Sequence, residues 1–95
     1  MTLITDIETV KIERINFLNN FDLKSDLIHL LKQASKNNNL NSIRVHKYLT
    51  STGLIGKVMT SRFLESIQLS ENTKINQLSD KNINDIATFV KQIWF

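Results

Sequence analysis

The chain has 95 residues, of which 41% are hydrophobic, and a formal net charge of +3. This length predicts one domain, residues 1–95, with a core large enough to fold by itself. The absence of cysteine excludes a disulfide framework and a thiolate metal site. No apolar run approaches the roughly 20 residues of a membrane span, and the N-terminus lacks a secretion-signal pattern, so a cytoplasmic protein with no membrane partner is expected.

Helix-breaking residues are scarce, because the chain has no proline and only two glycines, Gly53 and Gly56. This composition favours helices joined by short turns. Residues 5–19 repeat apolar side chains at helical spacing and predict the first helix. Its apolar stripe consists of Ile7, Val10, Ile15 and Leu18, broadened by Ile12 and Phe17.

Two shorter helices are expected next. Asp22 or Ser25 is predicted to cap the second helix, which ends in the Asn run at 37–39. Its apolar side comprises Leu23, Leu27, Leu30, Leu31 and Ala34. Ser42 is predicted to open the third helix, which ends near Gly53, a residue that can adopt the left-handed conformation of many helix ends. The apolar residues of the third helix are Ile43, Val45, Tyr48 and Leu49.

The fourth helix is predicted from near Gly56 to about Gln68, followed by an extended double turn over residues 69–78. Its apolar positions are Val58, Met59, Phe63, Leu64 and Ile67. Ser79 is predicted to cap the fifth helix, with Leu78 and Ile83 as a hydrophobic staple. The buried face of that helix comprises Ile83, Ile86, Ala87, Val90, Ile93 and Trp94. With no strand alternation, the sequence predicts a small all-α domain of about five helices.

Basic residues are concentrated in the middle of the chain. Residues 27–64 hold six lysines and arginines and no acidic residue, whereas the two flanking segments are mildly acidic. The six are Lys32, Lys36, Arg44, Lys47, Lys57 and Arg62. This asymmetry suits a polyanionic partner, the alternative being a solvated helix face with a chance shortage of acids.

Catalytic and metal-binding patterns are not found. No nucleophile motif surrounds any serine, and no pair of carboxylates is placed for acid–base chemistry. The two histidines, His29 and His46, stand 17 residues apart without cysteine and do not resemble a zinc site. We therefore expect no enzyme activity, no metal and no cofactor, and we interpret both histidines as residues of helix faces.

The segment 53–57, Gly-Leu-Ile-Gly-Lys, is the candidate anion site. Glycines ahead of a helix let an anion approach the unpaired amides of its first turn, and Lys57 adds a full charge. It is not a nucleotide-binding P-loop, which has four residues between its glycines and Ser or Thr where Val58 stands. Gly-x-x-Gly also occurs in KH domains, whose strands are not predicted here. The alternative is a tight interhelical turn in which glycine serves geometry alone.

From Ile43 onward, the sequence resembles the helix-two-turn-helix domain of actinobacterial-type integration host factor. The resemblance lies in Ile43-Arg44-Val45, Tyr48-Leu49, Ile55-Gly56-Lys57-Val58, Arg62-Phe63-Leu64-Glu65, Ser70-Glu71, Thr73-Lys74-Ile75, Leu78 and the helix from Ile83 to Phe89. The same half is similar to small-subunit ribosomal protein thirteen at 55–57 and 74–79. The resemblance covers a little over half of the chain, whereas residues 1–21 match neither family.

We expect N-terminal helices over residues 1–42, and the resemblance implies a helix-two-turn-helix nucleic-acid-binding region over residues 43–95. The expected activity is that of a nucleoid-associated, recombination-assisting protein, which binds duplex DNA through its phosphates with little sequence preference. The expected site comprises Arg44, Lys47, Gly53, Ile55, Gly56, Lys57, Arg62 and Lys74. Tyr48, Met59 and Phe63 are interpreted as core residues rather than intercalating wedges.

Two alternatives use other partners. The same phosphate grip fits structured RNA, because phosphate contacts carry no base information. A helical adaptor that binds protein would instead use an exposed aromatic anchor, chosen from Phe17, Phe21, Trp94 and Phe95. The sequence leaves open the oligomeric state and the role of residues 1–21.

Overall fold

The computed structural model describes the backbone of residues 3–22 and 26–94 and the side chains of residues 8–22 and 26–93. Within these ranges the chain forms five α-helices and one short 3₁₀ helix, and no strand is present. The α-helices are α1 (Leu3–Asn19), α2 (Leu27–Ser35), α3 (Val45–Thr50), α4 (Lys57–Ser66) and α5 (Asp80–Trp94), and the 3₁₀ helix is Ile75–Gln77. The prediction of a small all-α domain is confirmed.

The N-terminal cap of α2 is Asp26, whose carboxylate accepts a hydrogen bond from the His29 amide at 3.3 Å. The prediction of Asp22 as the cap is wrong, because Asp22 lies four residues before Asp26. Ser25, the other predicted cap, and Leu23 lie outside the described residues. Several cap-forming residues precede α2, and periodicity alone does not choose among them.

Helix α3 begins at Val45 rather than at the predicted Ser42, since the preceding backbone is held in an antiparallel bridge between Arg44 and Lys74. The Val45 amide donates to the Thr73 carbonyl at 2.9 Å, and the Ile75 amide donates to the Ile43 carbonyl at 3.0 Å. These bonds require extended backbone at Arg44, which has φ −71° and ψ 136°. A long-range contact therefore decides where this helix starts.

Helix α4 ends at Ser66, two residues before the predicted end, in a Schellman motif. The Leu69 amide bonds the Leu64 carbonyl at 2.8 Å, and the Gln68 amide bonds the Glu65 carbonyl at 3.0 Å. This closure places Gln68 in the left-handed region, at φ 65°. The extended double turn predicted for residues 69–78 contains the 3₁₀ helix Ile75–Gln77.

The predicted cap of α5 is confirmed by two reciprocal hydrogen bonds. The Ser79 hydroxyl accepts from the Asn82 amide at 3.1 Å, and the Asn82 side chain accepts from the Ser79 amide at 3.0 Å. Ile83 is buried and Leu78 packs against the core, as the predicted staple requires. Of the expected buried face, Ile83, Ile86, Ala87 and Val90 are buried and Ile93 is half-buried.

The core contains apolar side chains from α2, α3, α4, α5 and the connecting turns. Its largest fully buried side chain is Tyr48, which stacks on Phe17 at 4.4 Å and meets the edge of Phe21 at 5.1 Å between ring centroids. Phe21 is buried and Phe17 is half-buried against the core, whereas the side chains of Trp94 and Phe95, the other predicted anchors of an adaptor, lie outside the described residues. Burial raises the pKa of Tyr48 to about 12.

Four residues predicted to lie on apolar helix stripes are exposed instead. Val58 and Met59 are 67% and 52% exposed, and Ile12 and Ile15 are 59% and 55% exposed. On α4 the buried side runs through Thr60 and Leu64, and Val58 lies about 200° around the helix axis from Thr60. The interpretation of Tyr48 as core is confirmed, Phe63 is half-buried against the core, and the interpretation of Met59 as core is wrong.

Candidate nucleic-acid interface

A groove of about 390 Å³ lies between α3 and the start of α4. It is lined by Arg44, His46, Lys47, Thr50, Lys57 and Glu71. The three cationic side chains are exposed, and they come from sequence positions 44 to 57. Three of the residues predicted from the sequence thus line one concave surface.

Lys74 is not among the residues that line this groove, but it is paired with Arg44, which is. The two flanking hydrogen bonds make Arg44 and Lys74 a non-hydrogen-bonded pair, in which the two Cα atoms approach to about 4.5 Å. Directly opposite residues of such a pair project their side chains to the same side. Arg44 and Lys74 are both exposed, so the bridge sets two cations side by side.

Arg62 lies in a neighbouring groove of about 370 Å³. Its lining residues are Lys57, Val58, Ser61, Arg62, Glu65 and Glu71. The two grooves share Lys57 and Glu71, so Lys57 stands at their junction. The predicted cations therefore form one surface, which we call the basic surface: Arg44, Lys47, Lys57, Arg62 and Lys74.

The start of α4 opens onto this surface. Gly56 is the N-terminal cap residue and provides no side-chain hydrogen bond to the first turn. The first helical bond runs from the Thr60 amide to the Gly56 carbonyl at 3.1 Å. Amides at a helix start, together with the positive end of the helix dipole, favour an anion, and Lys57 is the first residue of this helix.

The two glycines of the loop differ in whether their backbone conformation requires glycine. Gly53 has φ +76°, a conformation that favours glycine, and its amide donates to the Thr50 carbonyl at 3.2 Å. Gly56 has φ −72° and ψ 154°, and a Cβ built there meets nothing within 4 Å. Ile55, between them, is 2% exposed, so its side chain anchors the loop in the core. The fold itself requires glycine at position 53 and not at position 56.

Two acidic residues border the basic surface, and the sequence counts did not place them there. Glu71 lines both grooves, and Glu65 lines the one that holds Arg62. Both lie outside the acid-free segment 27–64. Glu65 follows Arg62 by three residues on α4, so helical spacing alone places it beside that cation. Glu71 follows the turn that ends α4, and no local pattern in the sequence signals that it packs beside Lys57.

Glu71 also belongs to a chain of hydrogen bonds. The Ser61 hydroxyl donates to the Glu71 carboxylate at 2.8 Å, and His46 Nε2 lies 3.1 Å from that hydroxyl and 3.2 Å from the Lys57 carbonyl. Because the serine proton is directed to Glu71, the His46 Nε2 carries a proton and donates. In a hydrolase triad the histidine stands between serine and acid. Here Ser61 stands between His46 and Glu71. These contacts connect α3 with α4 and with the turn that follows α4.

Among the residues that the structure describes, no group of three His, Cys, Asp or Glu side chains is placed to hold a metal ion. His29 is exposed on α2. No helix among the described residues is long and apolar enough to cross a membrane.

Comparison of the chain with protein families, with characterised proteins and with solved structures found no match. The resemblance of residues 43–95 to the host-factor domain thus stays a prediction from the sequence.

Proposed function

We propose that this protein binds the phosphate backbone of duplex nucleic acid, and duplex DNA in particular, through its basic surface. The observation that carries the proposal is the convergence of Arg44, Lys47 and Lys57 on one groove, with Lys74 paired beside Arg44. A row of exposed cations along a concave surface is the electrostatic footprint of a polyanion partner. The host-factor resemblance favours DNA over RNA and a nucleoid location.

The binding mode is electrostatic and indifferent to sequence. The amides of Lys57 and its neighbours hold one phosphate at the start of α4, while the surrounding lysines and arginines contact adjacent phosphates. Such contacts position a protein on the duplex without reading bases. Glu65 and Glu71 border the same cations, which limits the net attraction.

The number of contacts sets the salt dependence. Five cations bordered by two carboxylates correspond to ~3–5 phosphate contacts. At a slope of about −0.9 per contact, affinity falls roughly 40- to 500-fold between about 50 and 200 mM salt. An affinity that is insensitive to salt contradicts phosphate recognition and favours the adaptor alternative.

The decisive variant is Lys57→Ala, because Lys57 lies where the two grooves meet. Binding to unrelated duplexes is expected to weaken equally, and the salt slope to become shallower by about 0.9. Fluorescence anisotropy with several labelled duplexes over a salt series measures both quantities. Lys91→Ala, an exposed lysine on α5 outside both grooves, is the matched control and keeps the wild-type slope.

The same assay distinguishes the two nucleic acids. A DNA duplex and an RNA duplex of one sequence are compared at each salt concentration. Tighter binding of the RNA supports the structured-RNA alternative. A change of sequence preference in Lys57→Ala with an unchanged slope means that Lys57 reads bases and does not contact phosphate.

A further inference from the structure

A histidine lies among the cations of the basic surface. His46, on α3, is half-buried and lines the groove of about 390 Å³ together with Arg44, Lys47 and Lys57. Histidine is the side chain whose charge ordinarily changes between about pH 5 and 8. Lysine, arginine and glutamate ordinarily keep their charge across this range. His46 is therefore the groove residue whose charge changes near neutral pH.

The protein holds one ring nitrogen of His46 and leaves the other open. Nε2 donates to the Ser61 hydroxyl oxygen at 3.1 Å and to the Lys57 carbonyl at 3.2 Å. Nδ1 makes no hydrogen bond to a described residue, and no buried side-chain nitrogen or oxygen among those residues lacks a partner. Nδ1 therefore reaches solvent, and in the neutral ring it is an acceptor without a proton.

Protonation of Nδ1 converts it into a donor and gives the ring a full positive charge. The contacts of Nε2 are kept, because the Ser61 hydroxyl and the Lys57 carbonyl also accept from a charged ring. The Glu71 carboxylate accepts the Ser61 hydroxyl at 2.8 Å, so a negative charge stands behind the serine that His46 contacts. An imidazolium at this position therefore has its second nitrogen free to donate to an anion.

The charges around His46 make its protonation depend on what the groove holds. In the free protein, cations from three segments oppose a further positive charge: Arg44 and Lys47 at α3, Lys57 of α4, and Lys74 beside Arg44. Glu71, from the turn after α4, favours the charged ring. A phosphate in the groove neutralises the cations and attracts the imidazolium directly. Protonation is thus more favourable in the complex than in the free protein, and binding takes up a proton.

We propose that His46 is a further phosphate-binding residue of the basic surface, active only when its ring is protonated. The protein then binds duplex DNA more tightly as the pH falls through the range in which histidine titrates. This role rests on the proposed function and adds to it a proton that is bound together with the phosphate. By reciprocity, a bound phosphate favours the protonated ring as much as the protonated ring favours phosphate.

Anisotropy with a labelled DNA duplex at about pH 6 and about pH 8 tests this role. The wild type is expected to bind roughly fivefold more tightly at the lower pH, with a salt slope steeper by up to about 0.9. His46→Gln is expected to remove both differences, because the glutamine amide keeps a donor for Ser61 and Lys57 but stays neutral. His29→Gln, which removes the exposed histidine of α2, is the matched control and keeps both differences.

The failure of the proposed function and the failure of this role give different results. A wild type that binds no duplex at either pH overturns both. Salt-dependent binding that is equal at the two pH values, or a pH dependence that His29→Gln abolishes, overturns the role of His46 alone.

Calorimetry in buffers of different ionisation enthalpy counts the protons taken up on binding. The wild type and His29→Gln are expected to take up the same fraction of a proton near neutral pH, and His46→Gln none. Because the chain has only two histidines, agreement between the wild type and His29→Gln assigns the proton to His46 even if His46→Gln does not fold. Binding by the wild type without proton uptake overturns the proposal.

Discussion

At the scale of single residues, Gly56 separates the requirements of the fold from those of the binding site. Its backbone is in an ordinary conformation, and open space surrounds the position of a Cβ. Gly53, by contrast, adopts a positive φ at the end of α3. The sequence placed both glycines in one candidate loop, and their different roles depend on backbone angles that a sequence pattern does not specify.

Gly56→Ser is expected to move stability and binding in opposite directions. A serine hydroxyl at this cap position accepts from an amide of the first turn and raises the free energy of unfolding by a few tenths of a kcal/mol. The same bond competes with a phosphate for that amide and weakens DNA binding by about 1 kcal/mol, roughly fivefold. Thermal unfolding and anisotropy on one sample measure the two effects.

The control for this variant is Gly53→Ala, which strains a left-handed position. It is expected to lower stability by about 1 kcal/mol while the folded protein binds as before. If Gly56→Ser raises the melting temperature but leaves the DNA affinity unchanged, the amides at the start of α4 do not bind phosphate. The cationic side chains alone then contact the DNA.

Tyr48 makes stability depend on alkaline pH. Its folded pKa of about 12 exceeds the value of about 10 in the unfolded chain, because burial disfavours the charged phenolate. The contribution is fully present below pH 10 and is lost as the pH rises toward 12, since the unfolded state ionises first. The loss amounts to roughly 2–3 kcal/mol.

Denaturant unfolding at a series of pH values measures this loss. Tyr48→Phe is the matched control, because it keeps the ring that stacks on Phe17 and removes the ionisable hydroxyl. The variant is expected to lose less stability than the wild type between pH 10 and 12. Equal losses in the two proteins contradict the assignment to Tyr48, the chain's single tyrosine.

At the scale of secondary-structure elements, periodicity predicts the helices better than their ends. The apolar repeats of α2 and α5 match their buried sides, and Ser79 caps α5 as expected. The start of α3 was predicted wrongly because a bridge to Lys74 competes with the helix. The buried side of α4 was predicted wrongly at Val58 because Thr60, a polar residue, takes the core position and bonds the Gly56 carbonyl.

The end of α4 carries strain that a substitution relieves. Gln68 occupies the left-handed position of the Schellman motif, where glycine has no steric cost. Gln68→Gly is expected to raise the free energy of unfolding by about 1 kcal/mol. In a domain of this size, that gain raises the melting temperature by about 4–8 °C.

Differential scanning calorimetry checks the Gln68→Gly variant. Gln77→Gly, which removes a side chain that accepts from the Lys74 amide in a region of ordinary backbone, is the contrasting control and is expected to destabilise. A loss of stability in Gln68→Gly means that the flexibility gained by the unfolded chain outweighs the relieved strain.

At the scale of the whole molecule, the fold brings together charged residues that are far apart in the sequence. Counting along the chain predicts an acid-free basic segment, and four of its cations do border the two grooves. Lys74 and Glu71 both enter from the segment after α4. Counting charges along the sequence does not detect such contacts, because tertiary packing decides which distant residues lie beside a groove.

Glu71→Gln is expected to strengthen DNA binding. The amide oxygen still accepts the Ser61 hydroxyl, so the hydrogen bond is kept while one negative charge leaves the groove. Removing that charge is worth about 0.5–1 kcal/mol in a solvated groove, roughly two- to fivefold in affinity. Glu8→Gln, the same change on α1, is the control. Equal gains in the two variants mean that net charge, and not the groove, attracts the DNA.

The bridge between Arg44 and Lys74 joins residues thirty positions apart, and this separation has a thermodynamic consequence. An unfolded chain has the same lysines and arginines, yet it must close a long loop before two of them stand side by side. A ligand that needs both side chains together therefore selects the folded state and adds its binding free energy to the stability of the domain. A peptide that ends with α4 has Arg44, Lys47, Lys57 and Arg62 but lacks the Lys74 neighbour, so the complete basic surface forms only when the turn after α4 folds back onto Arg44.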